Sequence, residues 1–441
     1  MGAIRWKKAA AWGAAVFIAF AGLVVVAPPV AADEDRTEHR DIRILTDKDF
    51  TEANGVVRGS GTEADPYVIS GWSIRNLTIQ DTASHVVIRD NEITSRLILD
   101  WIGSGVMLVN NSIRDLRVNQ NVERTGAATS GYIGNNKFGI VGQLRHFDGI
   151  FENNVVRPSP GMFDAVFGEA RAVNFDGFNG ARFRNNTIYG YMDVRLHGHH
   201  HGSSFGDQSH YHGTAHDHGS HGAHGGTDVD HSKRYHQVWV SNNKIYSTSH
   251  YALQYTDSAH SANDRTAASE RNEELNKPHV HYTRVHLTNN KLIGSGLSVD
   301  IFNADDRNHT KTERGALEIT GNHITVHDRD ETFSASPNGI EIWNAKDVEL
   351  TIARNVITGV NKESLPSHEW LEGEPAGIWM HDLDLANVFV TANRVVDLPI
   401  GIRASQFTET VEWWISRLAT EGVEEAVVYD ESVENEPHRR P

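Results

Sequence analysis

The chain has no cysteine, and that absence removes disulfides, thiolate metal sites, a lipidated cysteine and a cysteine nucleophile together. Any metal must be held by imidazole, carboxylate or carbonyl groups. Cations are scarce as well: 41 Lys and Arg stand against 58 Asp and Glu, for a formal net charge of -17. That balance argues against nucleic acid and anionic membranes as partners, because both are bound through clustered positive charge. Beyond the N-terminus no apolar run is long enough to span a membrane.

What is present begins with the three parts of a secretory signal. Arg5, Lys7 and Lys8 precede an apolar run from Ala9 to Val26, and APPVAA then leads to the acidic DEDR. A signal peptide is expected over residues 1–32, with cleavage before Asp33. The competing reading is an uncleaved N-terminal anchor. Both put the remainder outside the cytoplasm, as a secreted, cell-envelope or periplasmic protein with no membrane contact beyond this segment.

One short phrase returns along the chain: alternating apolar residues, then Asn-Asn or a close variant, then another apolar residue. VMLVNNSI, GYIGNNKF, VWVSNNKI, VHLTNNKL, LEITGNHI and VFVTANRV are examples among ten. The early spacings, from Asn91 to Asn111, Asn136 and Asn154, are 20, 25 and 18 residues, one coil of a β-solenoid per repeat. Period-2 alternation sends every second side chain inward, so Val87, Leu108, Ile133, Phe183, Val240, Leu287, Ile319 and Ile352 are expected to stack as a core. A lone coil cannot bury such a face, but stacked neighbours can. The Asn residues suit a turn, since Asn tolerates left-handed dihedrals, and stacked Asn side chains can form a hydrogen-bonded ladder. A second strand type, often opened by Gly296, Gly339, Gly377 or Gly401, puts Ser298, Asp300, Glu341, Trp343, Trp379 and His381 on one outward wall.

The fold expected is therefore an all-β, single-domain right-handed parallel β-helix over residues 33–407. Residues 45–55 read as a short entry helix, with Thr46 or Asp47 as N-cap and Gly55 as stop. A capping helix is expected over 408–422, because Val411, Trp414, Ile415 and Leu418 have helical spacing. Residues 423–441 read as an acidic C-terminal tail.

GSGTEADPYVISGWSIRNLTI, residues 59–79, resembles the entry phrase of NosD-like surface β-helix proteins, through Gly59, Gly61, Thr62, Pro66, Tyr67, Ile69, Gly71, Trp72 and Ile74. With the Asn phrases the resemblance spans roughly residues 55–405. It implies the parallel β-helix. For function it implies little, because that repeat family includes copper-site accessory proteins, carbohydrate-active enzymes and adhesive surface proteins.

Outside the family pattern lies a histidine tract over 197–236. It holds His197, His199, His200, His201, His210, His212, His216, His218, His221, His224, His231 and His236, among Gly, Ser and four Asp. With little to bury, it is expected to be a disordered loop inserted in the β-helix. Imidazoles at such close spacings suit Zn2+, Cu2+ or Ni2+. Copper(I) carriers usually offer sulfur, and none of the five Met lies in the tract, so zinc is favoured. The function expected is extracytoplasmic divalent-metal binding for capture, storage or transfer to a partner such as a metal-transporter binding protein or a metalloenzyme. A pH-responsive linker and an inert insertion are the plainer readings of the tract.

His250, His260, His279, His281 and His286 form a second set that could receive ions. His381 with Asp382 and Asp384, and His323 with His327, are weaker pairs. No catalytic residue is assigned, although Asp300, Asp305, Asp306 and Glu341 are the one carboxylate cluster that a hydrolase could use. The alternatives to metal binding are a carbohydrate-binding or carbohydrate-cleaving β-helix, with Trp343 and Trp379 stacking on sugars, and a structural surface protein.

Overall fold

The computed structural model of the chain describes residues 36–102, 105–119, 129–145, 147–159, 171–177, 181–197, 235–247, 251–258, 282–302, 315–327, 338–346, 348–360, 374–384, 386–429, 432–433 and 437–439. The signal segment expected over 1–32 lies outside them. Thr37–Pro441 forms one compact unit.

The alternating phrases are strands, and each pairs in parallel with the same phrase one repeat away. Val106–Val109 pairs with Val86–Arg89 on one side and with Thr129–Gly134 on the other. Such strands build a 14-stranded sheet, whose first strand, Val56–Arg58, alone pairs antiparallel. After each Asn turn the chain enters a second sheet of 22 strands, which early coils cross as one long strand such as Glu92–Ile102. Later coils split it at a corner into two strands, such as Lys291–Gly294 and Leu297–Phe302. The chain is thus an all-β parallel β-helix, and from the Asn154 coil onward each coil has three walls. We name each coil by the buried Asn that opens its second strand.

The turn that closes the first strand divides its work between two residues. The first takes a positive φ: Asp90 57°, Asn110 59°, Asn135 57°, Asn242 57° and Asn289 56°. Asn, Asp and Gly accept that conformation at low cost, but Arg354 (57°) and Ala392 (54°) hold it too. The second residue is the ladder. Asn91, Asn111, Asn136, Asn154, Asn186, Asn243, Asn290, Asn322, Asn355 and Asn393 are all buried. The Asn243 backbone N–H donates to Asn290 Oδ1 at 3.0 Å, and its Nδ2 donates to Asn290 Oδ1 at 3.1 Å and to the Phe183 carbonyl at 2.9 Å. The same set recurs in every coil from Asn91 to Asn355, so the turn leaves few buried polar groups unpaired.

Inside the coils, Ile69, Ile88, Leu108, Ile133, Phe151, Phe183, Val240, Leu287, Ile319 and Ile352 stack in register. Val87 is a correction. Val86 and Ile88 are buried and Val87 faces outward beside Met107, because the turn fixes the register and a slip of one residue moves every side chain to the other face. The opening glycines of the third strands have a packing reason: a Cβ on Gly296, Gly339, Gly377 or Gly401 would come within 2.9 Å of a carbonyl oxygen of the next coil.

Both ends differ from expectation. Residues 45–55 form two short 3-10 turns, Asp47–Asp49 and Glu52–Asn54, rather than an α-helix. Asp49 Oδ2 accepts the Thr46 N–H at 3.0 Å, and Gly55 ends the segment at φ 78°. The capping helix over 408–422 is absent. Its place is taken by strands Glu412–Ser416 and Ala419–Glu421. The previous coil presents an open edge at Asn387–Thr391, and a strand satisfies those N–H and C=O groups where a helix would leave them bare. Alternation decides the burial: Val411 and Trp413 are inside, while Trp414 faces out and stacks on Phe389 at 4.7 Å. The acidic tail also adds strand, since Glu425–Tyr429 pairs with Ile400–Phe407.

Candidate functional site

The third strands build a wall whose outward face is not dressed like a solvated surface. In register run Asn174, Asp193, Gln254, Ser298, Glu341, Trp379 and Arg403, and beside them Asp176, Arg195, Thr256, Asp300, Trp343, His381 and Ser405. Asp193 is 0% exposed, Glu341 1% and Trp379 7%. A buried charge needs partners. Asp193 has Arg195 at 2.9 Å and Arg171 at 3.4 Å. Glu341 is held by neutral donors: the Tyr251 hydroxyl at 2.8 Å, Asn338 Nδ2 at 3.2 Å and the Trp343 indole N–H.

Around Glu341 the aromatic rings pack on one another. Trp343 meets Trp379 at 5.0 Å and His381 at 4.6 Å, both edge to face. Trp379 donates its indole N–H to Ser405 Oγ at 3.3 Å, and His381 Nδ1 lies 2.8 Å from the same oxygen. Arg403 sits over the Trp379 ring at 5.8 Å. The wall predicted from the sequence is therefore real as a stack. Its use as a sugar platform is narrowed, since Trp379 is enclosed and only Trp343 is half-buried. Of the carboxylates, Asp300 accepts from Asn344 Nδ2 at 3.0 Å, both oxygens of Glu341 are engaged, and Asp305 and Asp306 lie outside the described residues.

Of the twelve tract histidines, His199, His200, His201, His210, His212, His216, His218, His221, His224 and His231 lie outside the described residues. His197 is the last residue of strand Tyr191–His197, and His236 is the second of Tyr235–Ser241. Strand pairing still fixes where the tract leaves and returns. His197, Ser258 and Phe302 are in register on three successive coils. The segments that leave after them, 198–234, 259–281 and 303–314, carry the tract, then His260, His279 and His281, then His309. Tyr235 and Tyr282, where the first two return, also pair. Three histidine-bearing segments thus depart from adjacent rungs about 4.8 Å apart.

Of the other expected histidine sets, His286, the pair His323 and His327, and His381 with Asp382 and Asp384 are among the described residues. His286 stacks on Trp239 at 5.7 Å with Nδ1 2.9 Å from Glu318 Oε2, on the 14-stranded sheet. Asp384 accepts from the hydroxyls of Thr408 and Thr410 at 2.9 and 2.8 Å. His250, His260, His279 and His281 lie outside the described residues. Among the described residues no group of three or more His, Asp or Glu is placed to hold a metal, and no helix is long and apolar enough to cross a membrane.

Two ionisable groups stand out on the 14-stranded sheet. Burial, with the Glu152 carboxylate as hydrogen-bond partner, pushes the Tyr132 phenol up to about 12. Burial raises Asp148 above the usual carboxylate range, against the pull of Arg182. No protein-family model, curated protein or solved structure matches this chain.

Proposed function

We propose that the chain is an extracytoplasmic divalent-metal-binding protein, with zinc favoured over copper(II) and nickel(II). The tract over 197–236 collects ions and the rigid β-helix presents it to a partner, such as a transporter binding protein or a metalloenzyme. One observation carries the reading: twelve histidines in forty residues leave from the same edge as two further histidine-bearing segments, on consecutive rungs. A scaffold that fixes both ends of such segments lowers the loop-closure entropy that metal capture must offset. Because imidazole must be neutral to bind, capture weakens as pH falls through the ordinary histidine range.

The test is a zinc titration by calorimetry on the full chain and on a variant lacking residues 198–234. The expected result is several ions bound by the full chain and a marked fall in stoichiometry for the deletion. Equal stoichiometry in the two would sink the proposal. Differential melting adds a second readout, since a ligand that binds only the native state raises the melting temperature as its free concentration exceeds its Kd.

A further inference from the structure

The wall of second strands carries a charge pattern that the whole-chain balance hides. The residue after each ladder Asn opens the second strand and faces outward, one per coil. NNKF, NNKI, NNKL, GNHI and ANRV therefore place Lys137, Lys244, Lys291, His323 and Arg394 in one column, all exposed. The register links them through Val155, Thr187 and Val356, which are uncharged. Lys244, Lys291 and His323 occupy consecutive coils, about 4.8 Å apart.

Like charges on directly paired strands cost stability, and no acid lies in the column between Lys137 and Arg394; its one acid, Glu92, heads it two coils before Lys137. The adjacent outward column reads Tyr189, Tyr246, Ile293, Thr325, Thr358 and Val396. Among the described residues, only Arg394 of the five is paired with an acid, Glu421 of the next coil. The Tyr246 phenol beside its ammonium holds Lys244 above the ordinary lysine range, which keeps it charged. Tyr189 and Tyr246 stack at 5.0 Å, with Arg157 4.1 Å above the Tyr189 ring.

We infer that this column is a docking site for an extended acidic polysaccharide, a chain with about one carboxylate per sugar, lying along the solenoid axis. Lys244, Lys291 and His323 follow one another at single-coil spacing, with Lys137 three coils before and Arg394 two coils after, and threonine hydroxyls and tyrosine rings stand beside them to meet a sugar backbone. Duplex nucleic acid carries one charge per about 1.7 Å of axis and winds around it. A straight column meets that backbone only where it crosses, and a chain of net charge -17 repels so dense a polyanion more than a sparse one. The column is on a different wall from the tract exits, so the inference stands apart from the metal reading.

The probe is polygalacturonate, titrated into the full chain with a chelator present so that metal bridging contributes nothing. The expected result is binding that weakens with salt and falls about tenfold or more in the triple variant Lys244→Gln, Lys291→Gln, His323→Gln. These three side chains are exposed, and an unchanged melting curve confirms folding. Lys48→Gln, in the entry turn, and deletion of 198–234 should both leave the affinity unchanged. Four results would overturn the inference: no binding of polygalacturonate, equal binding by the triple variant, loss of binding on tract deletion, or tighter binding of duplex DNA or phosphatidylserine vesicles than of polygalacturonate.

Discussion

Two corners of the same coil behave in opposite ways. At the Asn corner, each turn has the same length and a residue of positive φ at the same position, and from Asn91 to Asn355 it has the same set of buried hydrogen bonds. At the corner after the third strand, consecutive coils are joined by segments as different as 198–234, 259–281 and 408–411. The difference lies in where polar groups are buried. A ladder Asn accepts from one neighbour and donates to others, so an inserted residue would orphan groups in two coils at once. At the other corner the chain leaves the sheet from strand ends, and loops grow there at small entropic cost. Conservation of geometry is thus enforced at one corner, and variation, with the histidines it carries, is admitted at the other.

Substitutions can break this contrast. The largest loss is expected for Asn243→Ala, which strands Asn186 N–H and Nδ2 and removes a side-chain donor from Asn290 Oδ1 and the Phe183 carbonyl, the Asn243 backbone N–H still reaching Asn290 Oδ1. About 3 kcal/mol or more should disappear from the unfolding free energy, read by chemical denaturation. Glu341→Gln on the outward wall should cost less, about 1 to 2 kcal/mol, since three donors lose a charged acceptor but the core is untouched. A loss as large as at Asn243 would mean that the wall is as structural as the corner.

Ala392→Gly should stabilise by about 1 kcal/mol, because the residue holds φ 54° and is exposed. A loss would show that left-handed strain is not what this turn position resists. Asp148→Asn sharpens the comparison by its sign. A carboxyl whose folded value is raised favours the fold while protonated, and that support is lost as pH rises through the folded value. The variant should therefore melt higher than the parent at neutral pH, and the gain should vanish in acid below the ordinary aspartate range. Smallest of all, Arg394→Ala breaks an exposed ion pair and should change stability by less than about 0.5 kcal/mol.

Much of this was legible along the chain. The Asn phrases gave the coils, the core column from Leu108 to Ile352 and the ladder, because each depends on a local pattern repeated in register. Trp414 was misjudged for a physical reason: the WW pair offers one ring to a helical stripe and the other to an alternating one, and only the open edge of the Asn393 coil selects the strand that buries Trp413 instead. The enclosure of Glu341 and Trp379 had little local signal, since Asn338 and Trp343 are near Glu341 in sequence but Tyr251 reaches it from another coil and Trp379 lies beside it on the next. The cation column was readable in NNK, GNH and ANR, yet total charge concealed it until the register showed those residues to be neighbours.

By itself the sequence determined the solenoid, its repeat and the histidine tract, since period-2 alternation and a recurrent Asn turn have one efficient way to bury their apolar face. Tertiary structure alone decided which carboxylates are capped, which cations align and which strand edges needed another strand at the end. Those outcomes depend on stacking residues many positions apart at one coil spacing, such as Tyr251 on Glu341 and Arg171 on Asp193, and no local window contains such partners.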